Sequence, residues 1–209
     1  MSKHLIKSYY GDLFFESLIH DEPSKAIIYL PGFPTSNKYD ERLRFIHELG
    51  FNVFAPRYKG SYQSNGYFLE SNPVKDLHYF LTELRRGELI NLWSNEVEEF
   101  TNTELILMAN SFSGAIACSL GVKESINKLI LFSPVWDYTK HDDVKEDDLN
   151  HTLGFVKKAY NHLYRINFNN LPRVLRKLKS TRSENYSPQL TKPVLVFHDQ
   201  SDEVVSYEH

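Results

Sequence analysis

The 209-residue sequence holds one cysteine, Cys118, so no disulfide can close within the chain and no thiol pair is available to grip a metal. No apolar run approaches the roughly 20 residues that cross a bilayer. Met1-Ser2-Lys3-His4-Leu5 also lacks the apolar heart of a secretion signal, which leaves a cytoplasmic location as the expectation. Neither sign of charge dominates. A formal net charge of −3 gives no electrostatic reason to expect a nucleic acid, and the basic stretch from Arg165 to Arg182 follows an acidic one, Asp142 to Asp148. Histidines at metal-ligand spacing and a phosphate-cradling glycine loop are both lacking, so no cofactor and no metal are expected. Repeats and low-complexity segments are lacking too. What is left is a globular chain, long enough for a substantial core and most simply one domain.

The stretch Glu104 to Val122 organises the rest. Leu105 to Ala109 is a wholly apolar run of strand length, as in a parallel sheet covered on both faces. A helix follows almost at once. Between them Ala109-Asn110-Ser111-Phe112-Ser113-Gly114 sets small residues two before and two after Ser111, so a strand can reverse into a helix with almost no loop. That spacing is the nucleophile-elbow pattern G-x-S-x-G, with Ala and Ser at the two glycine positions. A hydroxyl there sits at a helix N-terminus, where unpaired N–H groups favour developing negative charge. Ser111 acting only as a helix cap is the competing reading of this stretch.

Upstream, Ile6–Tyr10 and Leu13–Ile19 flank a Gly11-Asp12 turn and read as an antiparallel hairpin. Ala26–Leu30 and Phe51–Ala55 are buried strands around a helix over Tyr39–Leu49, which stops at Gly50. Arg57 to Gly66 reads as a polar surface turn. Asn72 and Pro73 open a helix through Leu84, and Glu88–Phe100 is ambiguous, a short amphipathic insertion with no chemistry assigned. Lys128–Phe132 and Pro193–Phe197 are the next strands. The alternation predicts an α/β class: a doubly wound, mostly parallel sheet with an N-terminal antiparallel hairpin, whose ligands sit at the carboxyl ends of the strands. Residues 137–191 interrupt it and are expected to form a helical cap, dividing the chain into a core over 1–136 and 192–209 and an insertion between. Phe155, Tyr160 and Tyr164 in that cap are candidate substrate-binding residues, though they equally suit a cap core.

Three separated segments together resemble the α/β-hydrolase family. Leu30-Pro31-Gly32-Phe33-Pro34 is similar to its oxyanion loop, Ala109 to Gly114 to its elbow, and His198 to Val205 to the loop after its seventh strand. The resemblance implies a serine hydrolase acting on small-molecule acyl substrates. Ser111 would be the nucleophile and Asp202 the acid that orients the base, with Asp199 and Asp137 as weaker rivals for that role. The backbone N–H groups of Phe33 and Phe112 would form the oxyanion hole, since Pro34 has none.

The sequence departs from that pattern at the base. The family's histidine follows an eighth strand, and no such strand is present; His209 comes too soon after Asp202, and His198 ends a strand. Pro193–Phe197 is moreover too apolar for an exposed edge. The expectation is therefore a sheet lacking its final strand, with a missing C-terminal segment or a homodimer partner covering the last one, and a poor catalyst as it stands. A non-catalytic binding protein of the same fold and an acyltransferase are the alternatives.

Overall fold

Period-two alternation in the strands and 3.6-residue spacing in the helices build two apolar layers around one sheet. The computed structural model describes residues 4–35, 40–138, 155–156, 158–160, 162–167, 169 and 185–207. The strands are β1 (Ile6–Tyr10), β2 (Leu13–Leu18), β3 (Ser24–Leu30), β4 (Phe51–Pro56), β5 (Glu88–Ile90), β6 (Val97–Glu99), β7 (Asn102–Asn110), β8 (Lys128–Phe132) and β9 (Val194–Phe197). The helices are α1 (Asp40–Glu48), α2 (Pro73–Leu84) and α3 (Gly114–Lys123).

Seven strands form one sheet in the order β1-β2-β4-β3-β7-β8-β9. β1, β2 and β4 pair antiparallel, and every later neighbour pairs parallel. Alternate residues of each central strand enter opposite layers: Ile28, Leu30, Leu107 and Ala109 pack toward α2 and α3, whereas Ile27, Tyr29 and Ile106 pack toward Leu43 and Ile46 of α1. Asn72 caps α2 through its side chain, which accepts from Val74 N–H, with Pro73 opening the helix as its fixed φ favours.

Two segments differ from the sequence reading. Glu88–Phe100 contains a separate two-stranded hairpin, β5 against β6, anchored by buried Leu89 and by Leu92 N–H on Lys7 O. The loop after β4 is not a surface turn. Arg57, Tyr58, Ser61 and Ser64 are all buried, because Arg57 pairs with Glu16 at 2.6 Å and Ser64 Oγ donates to Arg57 O. The expected cap lies largely outside the described residues; within it, 155–156 and 158–160 are helical, and Tyr164 and Ile166 bridge to Ser61 and Phe68. β9 is the last strand of the described sheet, with Val194 to Phe197 between 39% and 53% exposed.

Candidate active site

The parallel strands end level with one another. Asn110 pairs with Phe132 and Phe132 with Phe197, so Ser111, Ser133 and His198 are each the first residue past the sheet at its carboxyl edge. Ser111 has φ +51 and Ser133 φ +38, left-handed values that cost an L-residue free energy and persist only where the surroundings enforce them. Here the enforcement is visible. Ser111 O accepts both Val135 N–H at 3.0 Å and Gly114 N–H, and Ala115 N–H donates to Val135 O at 2.9 Å. A Cβ on Gly114 would lie 2.5 Å from Pro134 Cβ and 2.9 Å from Val135 O, so only glycine lets α3 start this close to the β8 exit.

Ser113, at the pattern's second glycine position, is fully buried and fully used. Its Oγ accepts Asn110 N–H at 2.8 Å and lies 2.8 Å from Leu30 O and 2.9 Å from Asn110 O. It ties the end of β3 to the elbow, a role no glycine could take. The loop that follows Leu30 then crosses the turn: a Cβ built on Gly32 would stand 3.2 Å from Ser111 Cβ. Phe33 follows in that loop, and Phe112 is the second residue of the 3-10 turn leading into α3, where N–H groups lack partners further back in the helix. Ser111 itself is only half-buried, not turned into a packed core.

Asp202 sits on the loop after β9, two strands along from Ser111. Its Oδ1 accepts Val204 and Val205 N–H, each at 2.9 Å, and Oδ2 lies 3.8 Å from His198 Nε2. Those amides, the Ser133 hydroxyl and the His198 ring hold the carboxyl below the usual carboxylate range. Ser133 thus links the Asp202 loop to the strand exit beside the elbow. Asp199 is exposed and closes a local turn on Ser201 N–H and Oγ, which also lowers its pKa. Asp137 is buried beyond β8.

None of the described histidines has Ser111 among its hydrogen-bond partners. His20 and His47 stack at 3.9 Å near the amino ends of the strands, His78 joins Glu124 at the far end of α3, and His4 and His162 are exposed. His198 Nε2 bonds Val205 O at 2.8 Å. At about 4.8 Å per strand it stands roughly 10 Å along the edge from Ser111. His141, His151 and His209 lie outside the described residues. Among the described residues no group of three or more His, Cys, Asp or Glu side chains could hold a metal, and no helix is long and apolar enough to cross a membrane.

Above the elbow lies an aromatic cluster that the sequence did not announce. Phe33 stacks on Phe68 at 4.5 Å and meets Tyr164 edge-on at 5.0 Å; Phe112 meets Tyr58 at 5.6 Å and Tyr138 at 5.1 Å. Tyr138 donates to Phe112 O, and burial pushes its phenol pKa well up. Of the three candidate substrate residues, Tyr164 is buried in this cluster, Tyr160 is half-buried at 6.3 Å from it, and Phe155 is 54% exposed. Tyr164 thus lies within the cluster, Tyr160 packs against it from the side, and Phe155 meets Tyr160.

No family model matches the sequence, and no curated protein does. Solved structures match it in shape. The alpha/beta hydrolase domain-containing protein 10 from mouse superposes with a TM-score of 0.66 at 18% identity, over 99% of this chain and 81% of that one. An esterase (EaEST) from Exiguobacterium antarcticum gives 0.63 at 17% identity, over 98% and 83%. Pyrococcus horikoshii acylaminoacyl peptidase gives 0.61 at 15% identity over 98% of this chain, which spans 33% of the peptidase.

Proposed function

We propose that this chain, whose fold is that of the α/β hydrolases, is a serine hydrolase that cleaves carboxylic esters through an acyl-enzyme on Ser111. The observation that carries the reading is the strained Ser111 turn, φ +51, crossed by the Gly32 loop at the same sheet edge that carries Asp202 two strands along. A serine hydroxyl attacks a carbonyl when a base takes its proton. The tetrahedral oxygen then gains a negative charge, which the N–H groups of Phe112 and Phe33 receive. Collapse expels the alcohol with the proton that the base held, and water repeats the sequence to release the acid. Asp202, kept anionic by its amide partners, holds and stabilises the protonated base. The aromatic wall suits an apolar acyl or alcohol group, with Tyr160 and Phe155 further out on the cap side.

The base is the part that the described residues do not supply. Removing the base of such a triad costs about a million-fold in turnover, or roughly 8 kcal/mol of barrier. That observation favours a second reading, a binding protein of the same fold without catalysis. An acyltransferase differs only in which acceptor reaches the acyl-enzyme. The exposed β9 edge is where a second copy or a further segment of chain would pair.

Turnover of p-nitrophenyl esters by the chain and by Ser111→Ala separates the readings. Ester hydrolysis that disappears in Ser111→Ala supports the hydrolase. Equal rates in the two proteins leave the binding protein.

A further inference from the structure

The loop Pro31–Thr35, on which the proposed oxyanion site depends, is held at its main chain by tyrosine hydroxyls from two other segments. Tyr58 donates to Pro31 O at 3.1 Å and Tyr62 donates to Thr35 O, while Thr35 N–H donates to Tyr164 Oη at 3.2 Å. These contacts bracket Gly32, Phe33 and Pro34 on both sides. We infer that Tyr62 and Tyr164 are positioning residues that fix the Phe33 N–H over Ser111 by clamping Thr35, so that the cap side of the protein controls the oxyanion site. This inference rests on the hydrolase reading above.

Each half of the clamp is itself built. Tyr62 has φ +48, a left-handed conformation unusual for a bulky residue, and its N–H donates to Leu163 O at 2.6 Å. The buried Arg57 guanidinium lies 5.0 Å from its ring centre, and Arg57 is fixed in turn by Glu16. Tyr164 is carried by a short strip docked on the same loop: Arg165 N–H donates to Gly60 O and Phe68 N–H to Arg165 O, each at 2.8 Å. The Arg165 guanidinium spreads over three carbonyls, donating to Tyr62 O and Gly66 O at 3.0 Å each and to Ser64 O. Residues about a hundred apart in sequence are thereby locked to each other and, through two phenols, to Thr35.

A backbone held only by its own covalent links leaves the Phe33 peptide free to rotate. The hydroxyls remove that freedom in advance, so no reorganisation is needed when charge develops on the substrate. A binding contact would act on the ground state as well. A positioning contact acts on the rate alone.

Fluorophosphonate phosphonylation of Ser111 separates the two, with the inactivation rate and the reversible binding constant measured for the parent, Tyr62→Phe, Tyr164→Phe and the double variant. Each single variant keeps its ring and loses the hydroxyl that meets Thr35. The maximal rate is expected to fall about fivefold to tenfold in each and more in the double variant, with the binding constant unchanged and the thermal midpoint within a few degrees. Arg165→Lys, which keeps charge but not the three-carbonyl fork, should share the loss. Rates equal to the parent in both single variants overturn the clamp while leaving the hydrolase reading intact. A weaker binding constant with an unchanged rate also overturns it, because the tyrosines then touch the ligand. A parent that is not phosphonylated at Ser111 overturns both.

Discussion

Ser111 at φ +51 makes a stability prediction that is independent of turnover. Substitution by alanine removes the hydroxyl but leaves a Cβ in the left-handed region, whose cost for an L-residue is about 1–2 kcal/mol. Substitution by glycine removes that cost, and gives back about 0.5–1 kcal/mol through the greater freedom of the unfolded chain. Ser111→Gly should therefore be more stable than Ser111→Ala by about 0.5–1 kcal/mol, although both lose the hydroxyl. Urea unfolding read by far-ultraviolet circular dichroism measures the difference, provided the two m-values agree. For a chain of this length the thermal midpoints should differ by about 2 °C. A glycine variant no more stable than the alanine variant contradicts the claim that the fold holds Ser111 under strain, and with it the reason for reading the turn as functional.

Gly114→Ala should cost about 1–3 kcal/mol, since its Cβ would fall 2.5 Å from Pro134 Cβ, whereas Gly121→Ala meets only flexible leucine methyls at 3.1 Å and should change unfolding free energy by less than about 1 kcal/mol. Cys118 is buried with its thiol pKa pushed up to about 12, so a disulfide reagent at pH 8 should leave it unmodified until urea unfolds the chain. Asp202 has a folded pKa below its unfolded value of about 3.9, so its stabilisation is present above that value and is lost as pH falls through the folded pKa. Thermal midpoints taken from pH 6 down to pH 3 should accordingly decline more steeply for the parent than for Asp202→Asn; parallel declines contradict the assigned partners.

The sheet was legible because its central strands carry their own signal. Leu105 to Ala109 and Leu129 to Phe132 are continuous apolar runs, and each is followed directly by a small-residue turn. Ser111 was legible as the side chain in the small-residue turn directly after such a strand, and Asp202 through the resemblance of His198 to Val205 to the family's acid loop. The tyrosine clamp was not. Tyr58, Tyr62 and Arg57 stand among glycines and serines, and only the partners Thr35, Tyr164 and Glu16, far away in sequence, turn that polar loop into a buried wall. Glu88–Phe100 escaped because β5 and β6 are three residues each, too short for a period to register. Ser113 stands at a glycine position of the pattern, and only the structure shows that its hydroxyl bonds Leu30 O and so ties β3 to the elbow.

The central claim is that Ser111 is a nucleophile presented at the carboxyl edge of the sheet. Its most direct test is a fluorophosphonate probe followed by intact-mass measurement and peptide mapping of the parent chain and of Ser111→Ala. A single adduct is expected, on Ser111, formed more slowly than a complete triad allows and absent from the variant. An unmodified parent, or the same adduct on both proteins, contradicts the claim.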